Sequence, residues 1–221
     1  MKTGSIDIDF LGHTGFRVNL KNKSIVIDPY HVSDTVSKAD IILITHSHSD
    51  HCSIKDIQKL SRKGTIVFCP VDCQSTIMKV KGVEIHIVEN EDVLDFGDFK
   101  IECVPAYTSN KKHSIQEGWL GYLIKFGKDI LYFAGDTDDI PEMRKLSGYG
   151  KKGNNFVIAL PVAGGVVMDA FTATKVATML KPTLAIPMSY GAGVYGTHDD
   201  AKRFVELCKQ GGVNAQILDK I

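Results

Sequence analysis

The sequence has no excess of either charge. Its 26 Lys and Arg are matched by 26 Asp and Glu, for a formal net charge of zero. A chain whose partner is nucleic acid or an anionic membrane usually carries a basic excess, so the balance argues against both. Apolar runs long enough to span a bilayer are also missing. The first residues, Met1-Lys2-Thr3-Gly4-Ser5, hold no apolar signal region, from which a cytoplasmic location is expected. Cysteine is scarce and odd in number. The five residues Cys52, Cys69, Cys73, Cys103 and Cys208 are scattered in a way that excludes a disulfide framework. Cys69-Pro70-Val71-Asp72-Cys73 is one residue longer than C-x-x-C and reads as buried reduced thiols beside a strand end. With no Ser/Gly/Pro linker and no solenoid repeat, the 221 residues read as one domain over 1–221.

What is present is a dense group of ligand-type side chains. Thr45-His46-Ser47-His48-Ser49-Asp50-His51 directly follows Ile41-Ile42-Leu43-Ile44, an apolar run of the length of a buried strand. Side chains at i and i+2 of an extended chain point the same way, so His46 and His48 leave the strand end together. Asp50 and His51 follow one bend later. Imidazole and carboxylate suit zinc, manganese or iron. A solvated loop rich in His is the plain alternative, but histidines this dense have no packing use at a strand end.

The stretch resembles the H-x-H-x-D-H signature of the metallo-β-lactamase-fold hydrolases, and matches downstream extend the resemblance over nearly the whole chain. It implies an α/β fold, the αββα four-layer sandwich, and metal-assisted hydrolysis of a small-molecule substrate. It also implies site roles. His46 and His48 would bind a first ion, Asp50 and His51 a second, with Asp136 of Gly135-Asp136-Thr137 bridging them. His113, in the polar loop Thr108 to Gln116, matches the third ligand of the first ion. Asp50 would also orient the nucleophile and take part in proton transfer. Two acidic or basic turn residues fit places near the pocket. Asp28, before Pro29, is placed to hydrogen-bond a ligand histidine, or else it begins a turn. His13, in Gly12-His13-Thr14-Gly15, matches a Gly-His near the pocket, though a turn His is ordinarily just exposed.

One departure stands out. Relatives carry Pro-Met-His-Tyr-Gly, whose His completes the second ion; here the segment is Pro187-Met188-Ser189-Tyr190-Gly191. Three outcomes are open: a loosely held second ion, His198 swinging in as a replacement, or a one-ion site of weakened activity. Tyr190 is a candidate hydrogen-bond donor to substrate, and Gly164-Gly165 a candidate source of backbone N–H groups. The expected cofactor is one or two divalent ions, zinc foremost, with manganese or iron as alternatives.

The nearest broad similarity is to metal-dependent hydrolases related to L-ascorbate 6-phosphate lactonase and N-acyl-phosphatidylethanolamine phospholipase D. These imply a lactone, ester or phosphodiester. The alternatives are a degenerate metal-binding protein without turnover and an RNA-processing nuclease, the latter disfavoured by the neutral charge. Oligomeric state, including a homo-oligomer, is open.

Pattern and punctuation predict strands at Ile6–Phe10, Phe16–Leu20, Ser24–Ile27, Thr65–Phe68 and Val83–Val88. A helix capped by Ser53 should run to Gly64, and another should cover Asp72 to Val80. Hairpins are expected at Asp92–Val104 and Gly118–Phe133, and a short helix at Pro141–Leu146. Strands follow at Phe156–Leu160, Thr183–Pro187 and Ala215–Leu218, with helices from Asp169 to Leu180 and Asp199 to Lys209.

Overall fold

The computed structural model describes residues 1–109, 113–151 and 153–221. Part of the polar loop expected to carry His113, residues 110–112, therefore lies outside the described residues. Contacts divide the chain into two units, Met1–Glu89 with Leu218–Ile221, and Asn90–Ile217.

In the first unit β1 (Lys2–Thr3), β2 (Ile6–Gly12), β3 (Gly15–Leu20), β4 (Lys23–Ile27), β5 (Ile41–Leu43), β6 (Thr65–Cys69) and β7 (Val83–Ile87) lie side by side in chain order. The strands up to β4 are antiparallel and joined by tight turns; β4 to β7 are parallel. Parallel neighbours need crossovers. Two of these carry α1 (Ile54–Leu60) and α2 (Gln74–Ile77). Ile57, Leu60 and Ile77 of the helices pack with Val26, Ile42, Ile44 and Val67, the alternate residues of β4 to β6 and the residue just past β5. Each such buried side chain contributes about 1.5–3 kcal/mol.

Ser53 caps α1. Its Oγ accepts the Asp56 N–H at 3.4 Å and donates to Asp56 Oδ2 at 2.6 Å. The Asp56 carboxylate also accepts the His31 and Val32 N–H groups at 3.0 and 2.9 Å, pinning the loop that follows β4. This helix ends at Ser61 rather than at Gly64. The helix expected over Asp72–Val80 shrinks to a 3-10 turn, Val71–Cys73, and the single turn of α2. Cys73, Ile77 and Val80 are buried at helical spacing, but neither start has a side-chain cap, and a helix this short is marginal without one.

The second unit holds β8 (Val93–Asp95), β9 (Lys100–Pro105), β10 (Leu120–Phe126), β11 (Asp129–Phe133), β12 (Asn155–Pro161) and β13 (Leu184–Met188), in the order β13-β12-β11-β10-β9-β8. β8 to β11 are antiparallel and β11 to β13 parallel. The 3-10 helix Pro141–Leu146 and α3 (Ala170–Leu180) serve the parallel crossovers, and α4 (His198–Gln210) follows β13. Asp169 caps α3 by accepting the Thr172 N–H at 2.7 Å, and α3 ends at the left-handed Lys181, φ 51°, before Pro182. A Thr197–Asp200 capping box starts α4, so His198 is its first residue. The strand expected at Ala215–Leu218 is only a bridge, Ala185 to Ala215, because Leu218 onward belongs to the first unit, where Lys220 bridges Phe10. Among the described residues no helix is long and apolar enough to cross a membrane.

All five cysteines are buried and unpaired. Burial pushes the Cys103 thiol up to about 12. The Cys52 and Cys69 thiols, then burial, push Cys73 upward as well. Thiolates, not thiols, react. A thiol reagent such as DTNB should therefore titrate about none of the five in the native protein and all of them in guanidinium. Rapid native labelling of any one of them would contradict this packing.

Candidate metal centre

The metal-type residues of the first unit gather where β2, β4 and β5 end. β5 is too short to carry its side chains past Leu43, so the chain leaves the sheet at Ile44 and turns through Thr45 to Cys52. His46, Asp50 and His51 are buried there; His48 is exposed. Asp28 follows β4 with a left-handed φ of 43°, a conformation that Asp tolerates better than most residues. His13 follows a β-bulge at the end of β2 and has a φ of 56°.

A hydrogen-bond relay sets the imidazole tautomers. The fully buried Asp28 carboxylate accepts the Thr45 N–H at 2.8 Å and the Thr45 hydroxyl at 2.6 Å. It also accepts His51 Nδ1–H at 2.8 Å. The Thr45 proton is thereby committed to Asp28, so Thr45 Oγ1 can only accept at His46 Nδ1, 2.9 Å away. Both His46 and His51 then carry Nδ1–H, and the lone pair sits on Nε2. Ligand imidazoles are held in this way, by an outer hydrogen bond at the opposite nitrogen. Burial pushes the Asp28 carboxyl upward, against the pull of His51 and Thr45.

The spacing of the ligand atoms suits a cation. His46 Nε2 and His48 Nδ1 are 3.1 Å apart. Two nitrogens on one tetrahedral ion, at bonds of about 2.0–2.1 Å, lie about 3.3 Å apart. His51 Nε2 is 3.6 Å from Asp50 Oδ2. His13 joins this group, and one ligand atom from each of His13, Asp50 and His51 lies within 4.8 Å of the others. Its chemistry differs, however. His13 Nε2 is 2.9 Å from Asp50 Oδ2, and an ionised carboxylate only accepts, so Nε2–H is the donor. His13 Nδ1 is buried and makes no hydrogen bond among the described residues. It lacks the outer bond that anchors His46 and His51. His13 therefore orients Asp50. Burial raises the Asp50 carboxyl, but the His13 hydrogen bond and the electrostatic pull of the His51 ring outweigh it and hold the group at about 2.

In the second unit, Asp136 follows β11 through Gly135, and His113 lies just beyond the loop after β9. Both are buried, with His113 Nδ1 4.0 Å from Asp136 Oδ2. The His113 ring stands edge-on to Trp119 at 4.8 Å. The Tyr107 carbonyl accepts the Thr137 hydroxyl at 3.0 Å and the Asp138 N–H at 2.9 Å, clamping the turn that presents Asp136. Ser189 is buried with a φ of 64°, and its Oγ makes no hydrogen bond among the described residues. Tyr190 is buried beside it, and the exposed His198 rests its ring edge-on against Tyr190 at 5.3 Å.

Two participants had no role from sequence. Thr45 links Asp28 to His46; a hydroxyl directly before the first ligand histidine was its only signal. Tyr107 stands at the end of Val104-Pro105-Ala106-Tyr107, and a role played by its backbone carbonyl gives no signal in the sequence.

Residues 7–189 match the beta-lactamase superfamily domain. A UPF0173 metal-dependent hydrolase of Pyrococcus furiosus is 33% identical, with 84% of each chain covered. One from Nanoarchaeum equitans is 28% identical over 96% of both chains. Among solved structures, a candidate metal-dependent hydrolase from Parabacteroides distasonis superposes with a TM-score of 0.80 at 30% identity, covering 97% of this chain and 94% of that one. Igni18, a metallo hydrolase from Ignicoccus hospitalis, reaches 0.76 at 21% identity over 97% and 95%. The α/β fold implied by the H-x-H-x-D-H stretch is thus shared with solved relatives along almost its entire length, and the chain belongs to the metal-dependent hydrolases of the metallo-β-lactamase superfamily.

Proposed function

We propose that this hydrolase acts on an ester, lactone or phosphodiester. The proposed ligands are His46, His48, Asp50 and His51 in the first unit and His113 and Asp136 in the second, with zinc as the favoured ion. The observation that carries the reading is the Asp28–Thr45 relay, which turns the ligand-type nitrogen of both His46 and His51 outward. Both imidazoles are held this way at 0–1% exposure, which supports a cation as their partner.

A divalent ion held here supplies Lewis acidity, lowering the pKa of water to about 7 and stabilising negative charge in the transition state. The residues do the rest. Asp28 and Thr45 hold protons on the Nδ1 atoms of His51 and His46, keeping Nε2 basic. Asp50, held by His13, orients the nucleophilic water and receives its proton. Tyr190 offers a phenolic donor to the substrate. The likeness to the L-ascorbate 6-phosphate lactonase and N-acyl-phosphatidylethanolamine phospholipase D group motivates the substrate classes, and does not choose among them.

Ser189 bears on the ion count. A hydroxyl is a far weaker ligand than imidazole, so the second ion is expected to be held loosely by Asp50, His51, Asp136 and water. The test is metal content by mass spectrometry alongside turnover of bis-p-nitrophenyl phosphate and a γ-lactone, in chelated and reloaded protein. Reloading should restore turnover of one of them. Ser189→His should raise retained metal after gel filtration from about one ion to about two per chain. His is among the residues that accept the left-handed backbone found at this position. No metal retained under any loading condition would end this reading.

A further inference from the structure

The second unit contains a cavity of about 320 Å³ that holds none of the proposed metal ligands. The volume is that of a small-molecule site. Its floor is a row across three strands. Glu102 of β9 pairs with Leu123 of β10, and Leu123 pairs with Tyr132 of β11, so the three side chains share one face. Met143 and Leu146 of the 3-10 helix Pro141–Leu146 form an apolar wall, and Glu142 stands at the rim.

The polar groups here are incompletely used. Glu102 is neutralised by Lys125, which also donates to the Tyr149 hydroxyl at 3.0 Å. Glu142 is half-buried, accepts one hydrogen bond, from the Tyr107 hydroxyl at 2.9 Å, and makes no ion pair among the described residues. Tyr132 is 1% exposed and lines the cavity, and its hydroxyl makes no hydrogen bond among the described residues. Burial, and then the charge of Glu142, which lines the same cavity, keep that hydroxyl protonated. A buried phenol almost always finds a partner. An unneutralised carboxylate and an unsatisfied hydroxyl that line one cavity with the apolar Leu123 and Met143 lack one thing, a compact cation with several donors. An ammonium has three N–H donors and no acceptor. Anionic ligands are disfavoured, since the lining carries Glu91, Glu102 and Glu142 against Lys145.

We propose that this cavity binds a small primary amine, with its ammonium between Glu142 and the Tyr132 hydroxyl and its apolar body over Leu123 and Met143. The site is linked through Glu142 to the turn that carries Asp136. Tyr107, whose hydroxyl holds Glu142, is the residue whose carbonyl clamps Thr137 and Asp138 around Asp136. The inference does not depend on the proposed substrate or ion count.

The probe is 2-phenylethylammonium, with 2-phenylethanol as its uncharged counterpart. Binding is read on the full chain by methyl NMR of labelled methionine, with the Met143 signal assigned by its loss in Met143→Leu. The amine should shift the Met143 signal saturably while leaving the exposed Met78 unmoved. The alcohol should bind about tenfold more weakly, the scale of one charge-assisted hydrogen bond. Glu142→Gln should weaken the amine by about as much, and Tyr132→Phe by several-fold. A Met143 signal that never saturates, equal binding of amine and alcohol, or native affinity in Glu142→Gln would each overturn the proposal. If that variant fails to fold, the amine–alcohol comparison on the native chain still decides.

Discussion

Asp28→Asn is expected to give a folded protein that binds its metal about 10- to 100-fold more weakly, the usual cost of losing an outer hydrogen bond to a ligand. The change is nearly isosteric, and Asn tolerates the φ of 43° at this position. One amide oxygen can still accept the Thr45 N–H. The other atom becomes a donor facing His51 Nδ1 at 2.8 Å and the Thr45 hydroxyl at 2.6 Å. His51 must then move its proton to Nε2, which removes the lone pair a cation needs. Thr45 must turn its own proton away, toward His46. Two of the proposed ligands are therefore spoiled by one atom outside the proposed ligand set. Asp28→Ala leaves the buried Thr45 and His51 donors without any acceptor, and should cost about 3–5 kcal/mol of stability. Chelator competition gives the affinity, and long-range 15N spectra of the imidazoles give the tautomers. Native affinity in Asp28→Asn, with His51 still protonated at Nδ1, would show that the relay does not govern the site.

Gly135→Ala should be among the most damaging single-methyl changes in the second unit. Gly135 has a φ of 68°, and a Cβ there would lie 2.6 Å from the Leu120 carbonyl oxygen and 3.3 Å from Ala106 Cβ. The first contact is with the backbone of β10, which cannot step aside. A left-handed Ala costs about 1–2 kcal/mol and the overpacking about 1–3 kcal/mol more. Relief requires the turn to move, which carries Asp136 away from His113, now 4.0 Å distant. We therefore expect a loss of about 3 kcal/mol in denaturant unfolding, together with lost metal retention. Gly127→Ala is the control. Its φ is 59°, but nothing lies within 4 Å of the added carbon, so only about 1 kcal/mol is at stake. Equal stability in the two variants would mean that Asp136 is not held by this close approach.

The local elements were largely legible because their causes are local. Alternation at Ile6, Ile8 and Phe10, the Ser53 cap, Asp169 before α3 and Pro182 after it are each readable within one turn or one strand. The differences fell at α2, whose starts carry no side-chain cap, and at Ala215–Leu218, where the chain passes to the first unit. The Gly135-Asp136 turn carried its meaning only by resemblance, since a Gly-Asp turn is common and the Leu120 contact that demands glycine is invisible in sequence.

By itself, the order of residues determined the proposed ligand set and the strand that delivers it. His46, His48, Asp50 and His51 are neighbours in the chain, so no folding was needed to bring them near one another. Tertiary structure alone decided what each imidazole can do. Asp28 meets His51 across 23 positions and His13 meets Asp50 across 37. A tautomer depends on which atom sits opposite each ring nitrogen, and that is settled only when separate strands of a sheet end side by side.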